Sequence, residues 1–366
     1  MLCANAIAQQ DEWYASRPDG HAPIEIMGDH YHEKGELMCS YRYMLMKMDG
    51  VRRDSHKINK EEVLKKYQMS PNAMTMDMHM FGVMYALSDR VTLMAMGSYK
   101  ILLMKSIWMQ HNTTKNPVSH KFDSKGNNIT KSKNKGAPIN SGFSDTKVGT
   151  LIKIFNKTSQ SLHLNTMLII PTGSIEEKGT TMSVDLRSAY PMQLGAGSWG
   201  TMLGFTYLVQ GEALSGGVQP IITNYFGDNP EGYKIGNKIN LSSWMAFKAS
   251  DWVSVSAVLQ YQLQSKTEGS DPIIKEQNNK MFEKAGKRHM MPGFESTFLG
   301  GSILNTGLGV NLYVPKGILK GIRLGVQYSL PIHQDVNGIQ MSIQNNFTLG
   351  LQYSLKVNHR LGKPKP

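Results

Sequence analysis

Between Met38 and Met104 methionine recurs with a period of two: Met44, Met46 and Met48, then Met74, Met76, Met78 and Met80, then Met94 and Met96. In a β-strand that spacing puts each set on one face, whereas on a helix it would scatter them around the cylinder. The face they share is the polar one. Around Met38–Met48 the methionines alternate with Leu37, Cys39, Tyr41, Tyr43 and Leu45, and keep Ser40 and Arg42 as company. Val91, Leu93, Ala95, Tyr99 and Ile101 likewise stand opposite Thr92, Met94, Met96, Ser98 and Lys100. In a soluble sandwich methionine would join the buried leucines and valines. Apolar and aromatic residues outward, with polar residues and methionine inward, is the pattern of a barrel in lipid.

Length and composition allow this. The chain has 366 residues, 40% hydrophobic and 19% charged, with no apolar run near the length of a membrane helix. Barrel strands need only about 9–11 alternating residues each. The net charge of +12 resides mostly in lysines of Gly/Asn/Ser-rich loops, such as Lys115, Lys121, Lys125, Lys131, Lys133 and Lys135, so it predicts solvated loops and no nucleic-acid partner. Cys3 and Cys39 are too few for a disulfide framework or a cysteine zinc site.

The chain divides into a signal-peptide remnant (1–8, with Ala6-Ile7-Ala8 resembling a cleavage site), a periplasmic arm (9–35), a barrel (36–355) and a tail (356–366). The arm has no sustained period and is a candidate to occupy the lumen. Twelve strands follow, at about 36–48, 74–87, 90–103, 144–155, 160–171, 199–208, 214–225, 233–248, 252–264, 302–313, 319–330 and 342–355. The connections at 49–73, 104–143, 172–198, 226–232, 265–301 and 331–341 are mostly long; those between them are short. Outer-membrane barrels put long loops outside and short turns in the periplasm. The expected fold is therefore an all-β transmembrane antiparallel barrel in the outer membrane of a Gram-negative bacterium.

That topology places Met44, Met46, Met48 and Met74–Met80 toward the outer mouth, with Met94 and Met96 deeper. Fifteen of the 25 methionines fall between Met27 and Met109. Thioethers are soft ligands suited to Cu(I) and Ag(I). Residues i and i+2 lie about 6.5–7 Å apart on a strand, but cross-strand neighbours lie about 4.5–5.5 Å apart at Cβ. Ion sites would therefore bridge strands one and two, or two and three. The same methionines would also serve as flexible packing, or as a lining for a hydrophobic solute. In the arm, Met27, His30 and His32 form a second candidate metal set: His30-x-His32 in extended chain puts two imidazoles on one side, beside Asp29, and imidazole suits copper, nickel and zinc. His289 with Met290 and Met291 is a similar set. Gly195-Ala-Gly197-Ser-Trp-Gly200 matches a dinucleotide fingerprint but has no helix after it, and there is no nucleophile-elbow motif. No enzyme and no required cofactor are expected.

Four segments resemble a known group: HAPIEIMGDHYHEKGELMCSYRYMLMKMDG (21–50), MTMDMHM (74–80), Pro171-Thr172-Gly173-Ser174-Ile175, and Tyr190 to Gly197. They are similar to proteobacterial outer-membrane transporters of the phenol meta-cleavage-pathway type. The resemblance implies a β-barrel channel associated with aromatic uptake. The expected partners are outer-membrane lipid and lipopolysaccharide, a small solute or metal ion such as Cu(I), and a periplasmic protein. A purely structural or partner-binding barrel is the third reading.

Overall fold

The computed structural model describes residues 17–108, 139–181, 184–284 and 287–356. The signal remnant, the start of the arm, the lysine-rich loop and most of the tail lie outside these residues. Strands β1 (Glu36–Asp54), β2 (Met69–Ala86) and β3 (Val91–Trp108) are the longest of the first half. β4 (Thr146–Lys157), β5 (Gln160–Ile170), β6 (Gly200–Gln210) and β7 (Leu214–Tyr225) follow. Then come β8 (Lys238–Lys248), β9 (Val253–Gln264) and β10 (Gly301–Tyr313). Each pairs antiparallel with its neighbour in sequence.

The last element, Ile322–Lys356, is continuous strand that folds back on itself. Its first part pairs with β10 from Arg323 to Val336, and its second part pairs with β1 from Ile339 to Lys356. The ring thus has eleven elements, of which this hairpin supplies two strands, β11 (322–336) and β12 (339–356), making twelve. The segment 331–341, expected as an outer loop, is strand on both sides of a tight turn. Gly338, at φ +62, supplies the left-handed residue of that turn. The Gln334 amide holds both backbone groups of Ile343 at 3.0 Å. The remaining outer connections are long and the inner ones short.

The alternation of residues matches the two environments. In β9, Val255, Leu259, Tyr261 and Leu263 are exposed outward, while Ser254 and Ser256 are buried. Val258 breaks the inner polar row because it packs against Ala22, Ile26, Leu208 and Trp244. On the outward face of β2, Asp77 and His79 would be costly in hydrocarbon; each accepts or shares a hydrogen bond with a β1 phenol, Tyr43 to Asp77 and Tyr41 to His79.

Residues 17–35 lie inside the ring. Both limbs of this arm are held at the short-turn end: Arg17 donates to the carbonyls of Gly211 and Glu212, and the Lys34 amide donates to Asp89. Between them the arm crosses the interior. Ser254 donates to the Pro18 carbonyl, and the buried Arg323 donates to the Ala22 carbonyl. The Gly28 carbonyl takes hydrogen bonds from His163, Thr206 and Gln219 at 2.9, 3.3 and 3.3 Å. Glu25 reaches the closing hairpin, accepting from Asn346, Thr348, Gln327 and Ser329 at 2.8, 2.9, 2.8 and 3.3 Å. Burial pushes its carboxyl up to about 7, against the hydroxyls of Thr348 and Ser329, which favour the ionised form.

Two outcomes follow from this architecture. Leu259→Arg, in the middle of the lipid face, is expected to cost about 2–4 kcal/mol of stability in refolding titrations from lipid vesicles; no loss would place that residue outside the hydrocarbon. The raised folded-state value of Glu25 means the seated arm binds its proton more tightly than the released arm. The contribution of Glu25 to seating is then fullest in acid and is lost as pH rises from about 4.5 to about 7, while His21 and His32, lowered by burial, contribute with the opposite sign. Hydrogen exchange across 17–35, corrected for intrinsic rates, should show that the protection of the unmodified protein relative to a Glu25→Gln protein falls over this interval.

Candidate functional site

The three long strands align their methionines directly across the ladder. Met44 faces Met78, Met46 faces Met76, Met48 faces Met74 and Met38 faces Met84. Between β2 and β3, Met84 faces Met94 and Met74 faces Met104. Other positions interrupt the series: Met80 stands between Arg42 and Ser98, Met96 faces Gly82, and on the β3 side Met76 and Met78 face Leu102 and Lys100. A side chain at Gly82 would fall 2.6 Å from the Ser40 hydroxyl, so the glycine preserves this close approach.

The two ends of the series enter different clusters. Deep in the ring, Met38, Met84, Met94, Met96 and Met167 are buried with Leu151, and Met27, Tyr31 and Met202 pack against them. Toward the outer mouth, Met69, Met74, Met104, Met192, Met290 and Met291 are buried with Tyr190, Leu194, Ile274 and Phe294, with Met48 and Met76 against them. The outer cluster exists because loops turn inward: Lys100, Asn140 and Ser144 donate to the carbonyls of Leu194, Met192 and Leu194. Met290 and Met291 are therefore packed in this cluster, while His289 lies against the rings of Tyr67 and Phe282. Met167 and Met202 carry no alternating signal of their own; only strand order brings β5 and β6 to that level.

The arm's polar residues converge separately. The chain reverses between Pro23 and Gly28, with the Ile26 amide bonded to the Pro23 carbonyl and Gly28 at φ +65. This lays 21–22 beside 29–30, and the Ala22 amide donates to Asp29 Oδ2 at 2.9 Å. His21 Nδ1 lies 3.2 Å from His30 Nδ1, which lies 3.0 Å from Asp29 Oδ1; His21 Nδ1 is 3.6 Å from Asp29 Oδ2. All three residues are buried, and each offers a ligand atom within 4.8 Å of the others. His32 stacks edge-on against His30 at 4.8 Å, and its Nδ1 pairs with Glu36 at 3.1 Å. The Nε2 atoms of His30 and His32 are buried without a hydrogen-bond partner.

Charge in this cluster is set by its surroundings. Burial lowers His21 to about 3, reinforced by the charges of His30 and Arg323 and opposed by Asp29; burial also lowers His32. Burial alone would raise the Asp29 carboxyl, but His30 and His21 hold it well below the usual carboxylate range. At neutral pH His21 is a neutral imidazole with a lone pair to offer, beside an ionised carboxylate. Of the arm residues read as a metal set, the structure brings His30 together with Asp29 and His21. It sends Met27 to the deep methionine cluster and leaves His32 paired with Glu36.

No protein-family model matches the chain, and no curated protein sequence does. Among solved structures, the crystal structure of the COG4313 outer membrane channel from Pseudomonas putida F1 is similar with a TM-score of 0.58 at 12% identity, covering 90% of this chain and 99% of that one. The NanC porin (TM-score 0.37, 6% identity, 85% and 100% covered) and the KdgM porin (0.36, 8%, 87% and 99%) are more remote. At such identities the likeness is one of fold, and the fold is that of an outer-membrane β-barrel.

Proposed function

We propose that this protein is an outer-membrane channel of a Gram-negative bacterium, and that the solute it passes is a soft metal ion, Cu(I) first, along the methionine face of β1–β3. The observation that carries this reading is the direct opposition of Met44 with Met78, Met46 with Met76, and Met48 with Met74. Opposed side chains about 4.5–5.5 Å apart at Cβ let two thioethers meet one ion, which successive residues on one strand cannot easily do. Repetition of the pair at the next rung offers a neighbouring site of the same kind. Such a ladder binds softly enough at each rung for an ion to leave it. The expected surroundings are outer-membrane lipid and lipopolysaccharide, with a periplasmic protein as a further partner. The channel reading assigns no catalytic residue.

A channel for hydrophobic or aromatic small molecules is the second reading, and one observation favours it. The outer cluster mixes its methionines with Tyr190, Leu194, Ile274 and Phe294, which offer an apolar solute contact and a soft ion nothing.

Replacing Met44, Met46, Met76 and Met78 with leucine separates the two, since volume and apolarity are nearly kept while the sulfur is lost. Anaerobic titration of the refolded protein with Cu(I) is expected to show stoichiometric binding that the quadruple variant lacks. Absence of binding to the unmodified protein would overturn the metal reading. Uptake of an aromatic solute into vesicles, equal for both proteins, would support the second.

A further inference from the structure

We propose that His21, Asp29 and His30 form a binding site for a borderline divalent cation, Cu(II) foremost, and that the bound ion clasps the two limbs of the arm inside the barrel. This does not depend on what the barrel passes, because nitrogen and carboxylate donors select a different class of ion from thioethers.

The spacing of the donors carries the argument. Bonds of about 2.0–2.1 Å put neighbouring ligand atoms about 2.8–3.0 Å apart around a square-planar ion such as Cu(II), and about 3.3–3.4 Å apart around a tetrahedral one. Here the two imidazole nitrogens face each other at 3.2 Å, and the carboxylate meets them with different oxygens, Oδ1 at 3.0 Å from His30 and Oδ2 at 3.6 Å from His21. With one ligand atom taken from each residue, all three lie within 4.8 Å of one another, close enough for side-chain adjustment to gather them on one ion. Second, two ring nitrogens face each other at 3.2 Å, a contact into which at most one of them can donate, whereas a cation can take a lone pair from both. Third, all three side chains are buried, so an ion there would shed most of its water and take protein donors in exchange. Arg323 opposes it: its guanidinium bonds to the Ala22 carbonyl, Asn311 and Gln352 close by. That repulsion favours the ion with the strongest affinity for nitrogen donors, which among divalent first-row metals is Cu(II).

The ligands come from opposite limbs of one reversal. His21 precedes the turn at Pro23–Gly28 and Asp29–His30 follow it, so the ion closes a small loop around residues already fastened to the wall through Glu25 and Gly28. The ion would act as a staple on the segment that fills the interior.

The full chain, refolded in detergent and stripped with EDTA, is titrated with Cu(II) under electron paramagnetic resonance. One ion per chain with imidazole nitrogen couplings is expected. His21→Gln and Asp29→Asn should each weaken binding by more than about 100-fold, beyond what loss of an outer partner produces, with the heat-modifiable mobility of the folded barrel retained. Substitution of Met44, Met46, Met76 and Met78 by leucine should leave this binding unchanged. Failure to bind one ion, or binding untouched by both His21→Gln and Asp29→Asn, reduces the cluster to a hydrogen-bonded triad and overturns the site. For the clasp, hydrogen exchange across 17–35 should slow by up to about 100-fold at an ion concentration about 100 times Kd. Binding with no change in that exchange overturns the clasp.

Discussion

Closure of the ring through β1 and β12 is the constraint on which the rest depends. Backbone N–H and C=O groups in hydrocarbon have no water to bond, so a sheet in lipid must have no free edge. The seam meets that demand from Glu36 opposite Lys356 to Arg53 opposite Ile339. Closing the sheet separates its two faces completely. Outward side chains meet lipid and become Leu259 or Phe81, while inward ones meet each other across a confined space and can be Arg42, Gln219 or Thr348.

That inner face creates a second demand. Polar groups buried in a narrow interior cost free energy unless they find partners. Irregular backbone is well suited to supply them, because an extended segment offers carbonyls that no helix or sheet has claimed. The single carbonyl of Gly28 serves His163, Thr206 and Gln219, and a side chain added at Gly28 would come within 3.3 Å of Asn165. The wall and the arm satisfy each other. The match is incomplete beside the histidines, where His30 Nε2, His32 Nε2, Arg42 Nε and Asn165 Oδ1 stay unpartnered among the described residues. Toward the outer mouth the packing is of another kind, with methionines and aromatic rings contributed by loops.

Much of the wall was legible in the sequence because its physics is local. A period of two with a methionine-and-polar face predicts strands, and long and short connections in alternation predict their direction. Strand ends were less legible: β1 and β2 continue past Met48 and begin before Met74, since paired backbone projects beyond the apolar stripe that marks them. The hairpin at Gly338 hid for the same reason, as 331–341 is too polar to read as membrane strand. The methionine pairs were expected between strands one and two, but their rung-by-rung register was not, being set by the whole length of pairing. His21 was not joined to Asp29 and His30 from the sequence, because the contact depends on a reversal at Pro23–Gly28 that no periodicity announces. The inward turn of the loop carrying Met192, and the meeting of Met290 with Met69, likewise depend on contacts distant in sequence.

The grip of Glu25 on β11 and β12 bears on how the molecule is assembled. Its carboxylate is bonded to Thr348 across 323 positions of chain, and to Ser329 across 304. The arm is made first and its last partners are made last. Until the final hairpin forms, Glu25 lacks these donors and the arm is held only by its contacts with earlier strands, such as those of Gly28 and Pro18. Contacts of this span make folding slow. Seating of the arm is thus completed by the element that also closes the seam, so a chain with an open edge lacks the Glu25 contacts as well.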